Sequence, residues 1–212
     1  VEQSVVSVDV LALRFGNPEP GQLRFAVTPR LVEPFKGETA LPGVLLRAGE
    51  RLNDAARRAV ATKLGIPDDA IVATGQLVVF DEPNRDPRGP TLSVAMWAVI
   101  RPESFIATGK IEVEWRSFEA VGELAFDHSR IVAEARQILA TRMLWQDLGF
   151  TRAILGERFP ATTAVAVTAA LNGVRPDQGN LNRTMRRIPG LRRTEEHLQV
   201  RETGRPSAVW TW

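Results

Sequence analysis

Between Asn180 and Arg187 the chain gathers Asn180, Asn182, Arg183, Thr184, Arg186 and Arg187, and Arg192, Arg193 and Arg205 follow. Side chains of these types bond base edges and phosphate oxygens. A second charged set, between Pro42 and Ile66, mixes both signs in Arg47, Glu50, Asp54, Arg58 and Lys63. Two carboxylates beside a lysine make a poor site for a divalent ion, which wants several oxygen ligands. Arg85 and Arg88 flank Asp86; such a trio pins its own loop or offers cations to an anionic ligand. With no cysteine and two histidines, His128 and His197, the chain excludes disulfides, thiolate metal sites and an all-imidazole zinc site. His128 has no neighbour in sequence for nucleophilic or metal chemistry, so it is read as a helix-entry residue.

The elements that must hold these groups follow from pattern. Of 212 residues, 44% are apolar and 25% charged, enough for a full core in one or two domains. Residues 5–15 open with Val6, Val8 and Val10 alternating with polar positions, and predict a strand. Asn17-Pro18-Glu19-Pro20-Gly21 predicts a turn into a second strand, 22–28. After a Pro/Gly-rich stretch, 34–43, the segment 53–64 puts Ala56, Val60 and Leu64 on one helical face, with Asn53 as cap and Gly65 as stop. Strands are expected at 71–80, 91–100 and 110–118, then a long helix at 129–148 in which Ile131, Ala135, Ile138 and Leu139 share a stripe. Trp145, near its end, reads as an aromatic joining two domains or two protomers. A sheet with helices inserted and appended is α/β or α+β.

The pattern changes after Gly149. Helices are expected at 151–155, 162–171 and 176–188, then strands at 191–194, 197–202 and 208–212. Three helices and a hairpin form the arrangement of a winged helix-turn-helix. Charge divides at the same place: residues 1–149 hold 17 Lys+Arg against 20 Asp+Glu, and residues 150–212 hold 10 against 5. A basic tail on a mildly acidic body points to a polyanion partner for the tail alone. The longest uncharged stretch, 159–174, falls short of the roughly 20 residues a membrane helix needs. No membrane partner and no secretion signal are expected, and a reducing, cytoplasmic setting suits the lack of cysteine.

The stretch from Leu41-Pro42-Gly43 through Gly49-Glu50 to Gly65-Ile66 resembles the Nudix box of the Nudix hydrolases, with Glu50, Arg58, Val60, Gly65 and Ile66 in agreement. In that family, helix carboxylates on one face hold Mg²⁺, and the metal activates water against a diphosphate. Here those positions are Ala59, Thr62 and Lys63, and the box glycine is Val44. The resemblance thus implies a Nudix-like α/β (α+β) domain with no catalytic residues, no metal and no cofactor. Gln76-Leu77, Phe80, Arg85-Asp86-Pro87-Arg88-Gly89, Ser93-Val94-Ala95, Trp115 and Leu124-Ala125-Phe126-Asp127-His128 are similar to Nudix domains related to ADP-ribose pyrophosphatases.

The tail extends the likeness. Asn180-Leu181-Asn182-Arg183-Thr184-Met185, Gly190-Leu191 and Gly204-Arg205-Pro206-Ser207-Ala208-Val209-Trp210 resemble the winged-helix half of the Nudix-related transcriptional regulators of NAD metabolism. The match departs at Val44, Asn182 and the Trp-Thr-Trp end. It implies a ligand-sensing Nudix-like domain over 1–149 and a C-terminal winged helix-turn-helix domain over 150–212. Together these would form a homodimer that binds double-stranded operator DNA and represses NAD biosynthesis or salvage genes. The implied effector is ADP-ribose or a related NAD-derived nucleotide, held by Arg30, Phe35, Arg47, Glu50, Arg58 and Lys63. In that set guanidinium groups suit a diphosphate, Phe35 covers an adenine, and Lys63 replaces the metal. Asn180, Arg183, Thr184 and Arg187, with Asn182 beside them, would meet base edges; Arg186, Arg192 and Arg193 would meet phosphates, and Arg205 a minor groove. Leu181, Met185, Ile188, Leu191, Trp210 and Trp212 are expected to pack. Two other readings stay open: a Nudix hydrolase of nucleotide diphosphate derivatives with a relocated metal site, and a silent scaffold whose tail binds protein.

Overall fold

A computed structural model describes residues 3–16, 22–102, 111–200 and 206–212. The turn expected at 17–21, the start of the 110–118 strand and the wing tip with Arg205 lie outside the described residues. In chain order the elements are β1 (Val5–Phe15), β2 (Leu23–Pro29), β3 (Thr39–Ala40), β4 (Gly43–Leu45), α1 (Leu52–Leu64), β5 (Ile71–Phe80), β6 (Thr91–Ile100), β7 (Glu114–Arg116) and α2 (His128–Ile138). Then come α3 (Leu148–Leu155), β8 (Arg158–Pro160), α4 (Ala161–Asn172), α5 (Gln178–Arg187), β9 (Arg192–Leu198) and β10 (Ser207–Thr211). Chain contacts divide these into two units. One takes in the described residues up to Arg14 and those from Arg24 to Arg136; the other takes in Phe15 to Leu23 and Gln137 to Trp212, as far as described.

In the first unit, alternation at the start of β1 gives way to burial on both faces from Val8 to Arg14. The reason is position: β1 lies inside the sheet order β3-β2-β1-β6-β5 and runs parallel to β6, so neither face meets water. β5 and β6 pair antiparallel, and β4 pairs with the first half of β1. Helix α1 covers the sheet with Ala55, Ala56, Ala59, Val60 and Leu64, which join Val8, Val10, Val94 and Met96 in one core. Gly65 ends α1 in a left-handed conformation, φ 66°, and donates its N–H to the Ala61 carbonyl, as a C-terminal glycine does without Cβ strain.

Several expectations need correction. Asn53 lies inside α1, and Arg51 occupies the cap position with no side-chain bond. The Pro/Gly-rich stretch contains β3 and part of β4, strands too short to show a period. The 129–148 helix is broken: α2 passes into a π-helical turn, Leu139–Met143, closed by Leu144 N–H to the Leu139 carbonyl at 2.8 Å. Trp145 then takes φ 70°, its N–H bonding Thr151 Oγ1 and its indole N–H bonding Thr168 Oγ1 on α4. Asp147 caps α3 through Phe150 N–H at 2.9 Å, so that helix begins earlier than expected.

In the second unit α4 ends at Gly173, φ 75°, and Asp177 caps α5 by accepting from Asn180 N–H at 2.7 Å. The strands expected at 191–194 and 197–202 join as β9, because β10 pairs along it across a bulge. β10 also pairs with β8, a strand with no counterpart in the sequence reading. Leu181, Met185, Ile188, Leu191 and Trp210 are buried, and the Trp212 indole donates to the Gly156 carbonyl at 3.1 Å. Among the described residues no helix is long and apolar enough to cross a membrane.

Candidate functional site

Register places the first functional group. Asp9 of β1 pairs with Gly43 of β4, and a Cβ on Gly43 would lie 2.2 Å from Asp9 Oδ1. Glycine therefore makes room for a carboxylate whose side chain is only 7% exposed. Asp9 Oδ2 accepts from Ser7 Oγ at 3.0 Å and from Ser93 Oγ, on β6, at 2.5 Å. His128, the first residue of α2, brings its ring to the same carboxylate, with Nε2 3.6 Å from Oδ1. Its Nδ1 accepts the Leu41 N–H at 3.0 Å, so the ring proton sits on Nε2. Burial pushes the His128 pKa down, against the opposing pull of Asp9 and Asp127.

Two ion pairs frame this group. Arg85 donates bidentately to Asp127 at 3.0 and 2.6 Å and stands 3.8 Å from Asp9 Oδ2. Arg88 donates to Asp86 at 3.0 and 2.7 Å; burial raises the Asp86 pKa, and the bonds from Arg88 more than offset it. Both arginines pin their loop, and both also line a cavity of about 860 Å³, a size typical of small-molecule sites.

The same cavity is lined by Asp9, His128, Ser7 and Phe126 and, of the residues expected to bind ligand, by Arg30, Arg47, Arg58 and Lys63. Phe35 and Glu50 are not among its lining. Phe35 packs edge-on against Phe126, ring centroids 4.8 Å apart, and Arg30 lies 4.5 Å over the Phe126 ring. Arg30 is held there by bonds to the Pro34 and Val32 carbonyls. Glu50 is committed to Arg58, which donates at 2.7 and 2.8 Å, and it also accepts Arg47 N–H at 2.9 Å. Those bonds hold its pKa down to about 2. The side chains of Arg47 and Lys63 form no hydrogen bond or salt bridge among the described residues, though the Arg47 charge also helps to lower the Glu50 pKa; both line the cavity and can meet an anion. Asp9 and Ser7 carried no expectation beyond the strand, and Ser93 and Phe126 entered only within the stretches similar to Nudix domains, not as site residues; a carboxylate within the Val-rich run of β1 was a further available signal.

On α5, burial of Leu181 and Met185 turns the opposite face outward. Asn180, Arg183, Thr184 and Arg187 are exposed there at spacings of three and four, which put them on one stripe. Asn182 is half-buried; Arg186, Arg192 and Arg193 are exposed, the last two opposite Thr211 and Trp210 in the β9–β10 pairing. Arg183, Arg186, Arg187, Arg192 and Arg193 make no salt bridge among the described residues, whereas Arg152 and Arg158 pair with Glu157 and Glu196.

No protein-family model matches the chain. A MutT/nudix family protein from Enterococcus faecalis matches it in structure with TM-score 0.75 and 26% identity, over 99% of this chain and 88% of that one. The chain has the Nudix fold. NrtR of Shewanella oneidensis, in a crystal structure with a 27mer DNA, gives TM-score 0.77 at 23% identity over 97% of this chain and 92% of that one. The Nudix domain of the same protein, complexed with ADP-ribose, gives 0.51 at 23% identity over 66% of this chain and 90% of that domain. A curated relative, the ADP-ribose pyrophosphatase of Methanocaldococcus jannaschii, is 32% identical over 102 residues, 48% of this chain. The match spans 59% of that relative's length.

Within the Nudix unit, α1 is the element on which the fold's hydrolases hold Mg²⁺. Ala59 is buried against the sheet, Thr62 Oγ1 donates to the Arg58 carbonyl at 2.7 Å, and Lys63 is a cation. Among the described residues no three His, Cys, Asp or Glu side chains gather as a metal site. These donors do not fit a hard dication.

Proposed function

We propose that the chain is a transcriptional regulator, a repressor of NAD biosynthesis or salvage genes, whose Nudix unit senses ADP-ribose or a related NAD-derived nucleotide without cleaving it. The observation that carries the reading is the outward stripe of Asn180, Arg183, Thr184 and Arg187, with no salt bridge on its arginines among the described residues. Such a stripe suits a major groove, where arginine bonds guanine and asparagine bonds adenine. Likeness over 97% of the chain to a protein crystallised with DNA supports it. Residues 150–212 act in this reading as a winged helix, and residues 1–149 as the sensor. The cytoplasmic protein works as a homodimer, because two half-site readers multiply a modest affinity. Cavity cations support a diphosphate ligand.

The test is a gel shift with promoter DNA from the NAD genes of the same genome, with and without ADP-ribose. Promoter DNA should be retained over unrelated duplex, ADP-ribose should change the retention, and Arg183→Ala should weaken it about tenfold. Equal retention of both duplexes would sink the proposal. The pyrophosphatase relative favours a second reading, a hydrolase with a relocated metal site. Turnover of ADP-ribose with Mg²⁺, abolished by Glu50→Gln, would establish it.

A further inference from the structure

We propose that Asp9 and His128 form a clamp for one hydroxyl group within the cavity, and that the hydroxyl belongs to the terminal ribose of the ligand. The inference rests on the reading of the cavity as a site for an NAD-derived nucleotide. Both side chains are almost wholly buried, 7% and 5% exposed, and both line the cavity. Asp9 has one oxygen satisfied by Ser7 and Ser93; the other, Oδ1, accepts no hydrogen bond among the described residues. His128 has Nδ1 occupied by the Leu41 N–H, so Nε2 can only donate. The separation of 3.6 Å between Oδ1 and Nε2 is too long for them to satisfy each other.

An acceptor and a donor are thus left side by side, each with an open position. A hydroxyl fits both, since it accepts from Nε2–H while donating to Oδ1. An ionised phosphate oxygen has no proton to donate and would be repelled by Asp9; an ammonium has no lone pair for Nε2–H. The clamp therefore selects a neutral hydroxyl in a cavity whose other charged lining is mostly cationic, with Asp86 and Glu112 the exceptions. Arg85, 3.8 Å from Oδ2 and fixed by Asp127, offsets the buried charge. Arg47 and Lys63 remain for the diphosphate. Division of labour of this kind separates a nucleotide that ends in a sugar from one that ends in phosphate.

Calorimetric titration of the full chain with ADP-ribose and with ADP tests this directly. The wild type should bind ADP-ribose at least about tenfold more tightly, the value of one good hydrogen-bonded hydroxyl. Asp9→Asn, which turns an amide N–H₂ to the open position, should erase that margin and leave ADP affinity within about twofold. Gly43→Ala removes no polar group but drives a methyl against Oδ1, and should have the same effect. Equal affinity of the wild type for both nucleotides would overturn the clamp. So would either variant, shown folded by its melting curve, weakening both nucleotides alike. Asp9-dependent selectivity combined with promoter retention indifferent to ADP-ribose would sink the sensing function and leave the clamp standing; failure of both nucleotides to bind would sink both.

Discussion

Lys63 carries a charge where the fold's hydrolases gather a dication, and its ammonium has no ion-pair partner among the described residues. In the proposed reading it is a metal-independent anchor for a diphosphate. ADP-ribose affinity should be unchanged by EDTA, and Lys63→Glu should weaken it about tenfold through lost attraction and added repulsion. Calorimetry in chelated and Mg²⁺-containing buffers measures this, and a strict Mg²⁺ requirement in the wild type would defeat it. His128 makes a prediction about pH. Its folded pKa is lowered by burial, with Arg85 and Arg30 adding to the effect and Asp9 and Asp127 opposing it. The unfolded chain therefore takes up a proton first as pH falls below about 6.5, and stability present above that value is lost toward the lower folded pKa. Urea unfolding at pH 7.5 and 5.5 should show the loss in the wild type and its absence in His128→Asn. Glu50, by contrast, contributes above its ordinary pKa and loses that contribution as pH approaches about 2.

Helix α5 depends on its cap more than on its composition. It has ten residues, and only Leu181 and Met185 are buried, so isolated propensity would not hold it. Asp177 satisfies Asn180 N–H and sits at the positive end of the helix dipole. Asp177→Ala should cost about 1 kcal/mol of stability, read as a lower midpoint in thermal unfolding, and, on the proposed function, should weaken promoter retention by loosening the outward stripe of Asn180, Arg183, Thr184 and Arg187. Elements with local signals were legible in advance: β1, β5 and β6 occupy their expected ranges, and Gly65 stops α1 where expected. The break after Ile138 was not, because the stripe of Ile131, Ala135, Ile138 and Leu139 continues the helical period through it. What draws the chain out is Trp145, tied to Thr151 and to Thr168 far along the sequence. Asp147 was a readable cap that the periodic pattern obscured.

Charge is unevenly shared over the whole molecule, and that bears on its proposed partner. The basic residues of the second unit include Arg186, Arg192 and Arg193, exposed and without salt bridges among the described residues. If they meet phosphates, promoter affinity must fall steeply with salt, because each neutralised phosphate releases counterions. Replacing any one by alanine should flatten the log–log salt slope by about one and weaken binding to all duplexes alike. A slope near zero in fluorescence anisotropy would instead favour a scaffold whose tail binds protein. Any effect of ADP-ribose on promoter affinity must also be matched by an equal effect of DNA on ADP-ribose affinity.

Sequence alone determined what short-range chemistry dictates: strands and helices with a clear period, glycine stops, the basic tail, and a helix with alanine, threonine and lysine at the positions where the Nudix likeness expects carboxylates. It could not place Asp9 beside His128, or open a space over Gly43, or exchange Phe35 for Phe126 as the aromatic lining the cavity. Those outcomes turn on strand order and register between segments distant in the chain, and one step of register would turn Asp9 to the other face of the sheet. Local pattern carries no record of which strand lies next to which, so only the folded packing could bring that carboxylate and that imidazole to one cavity.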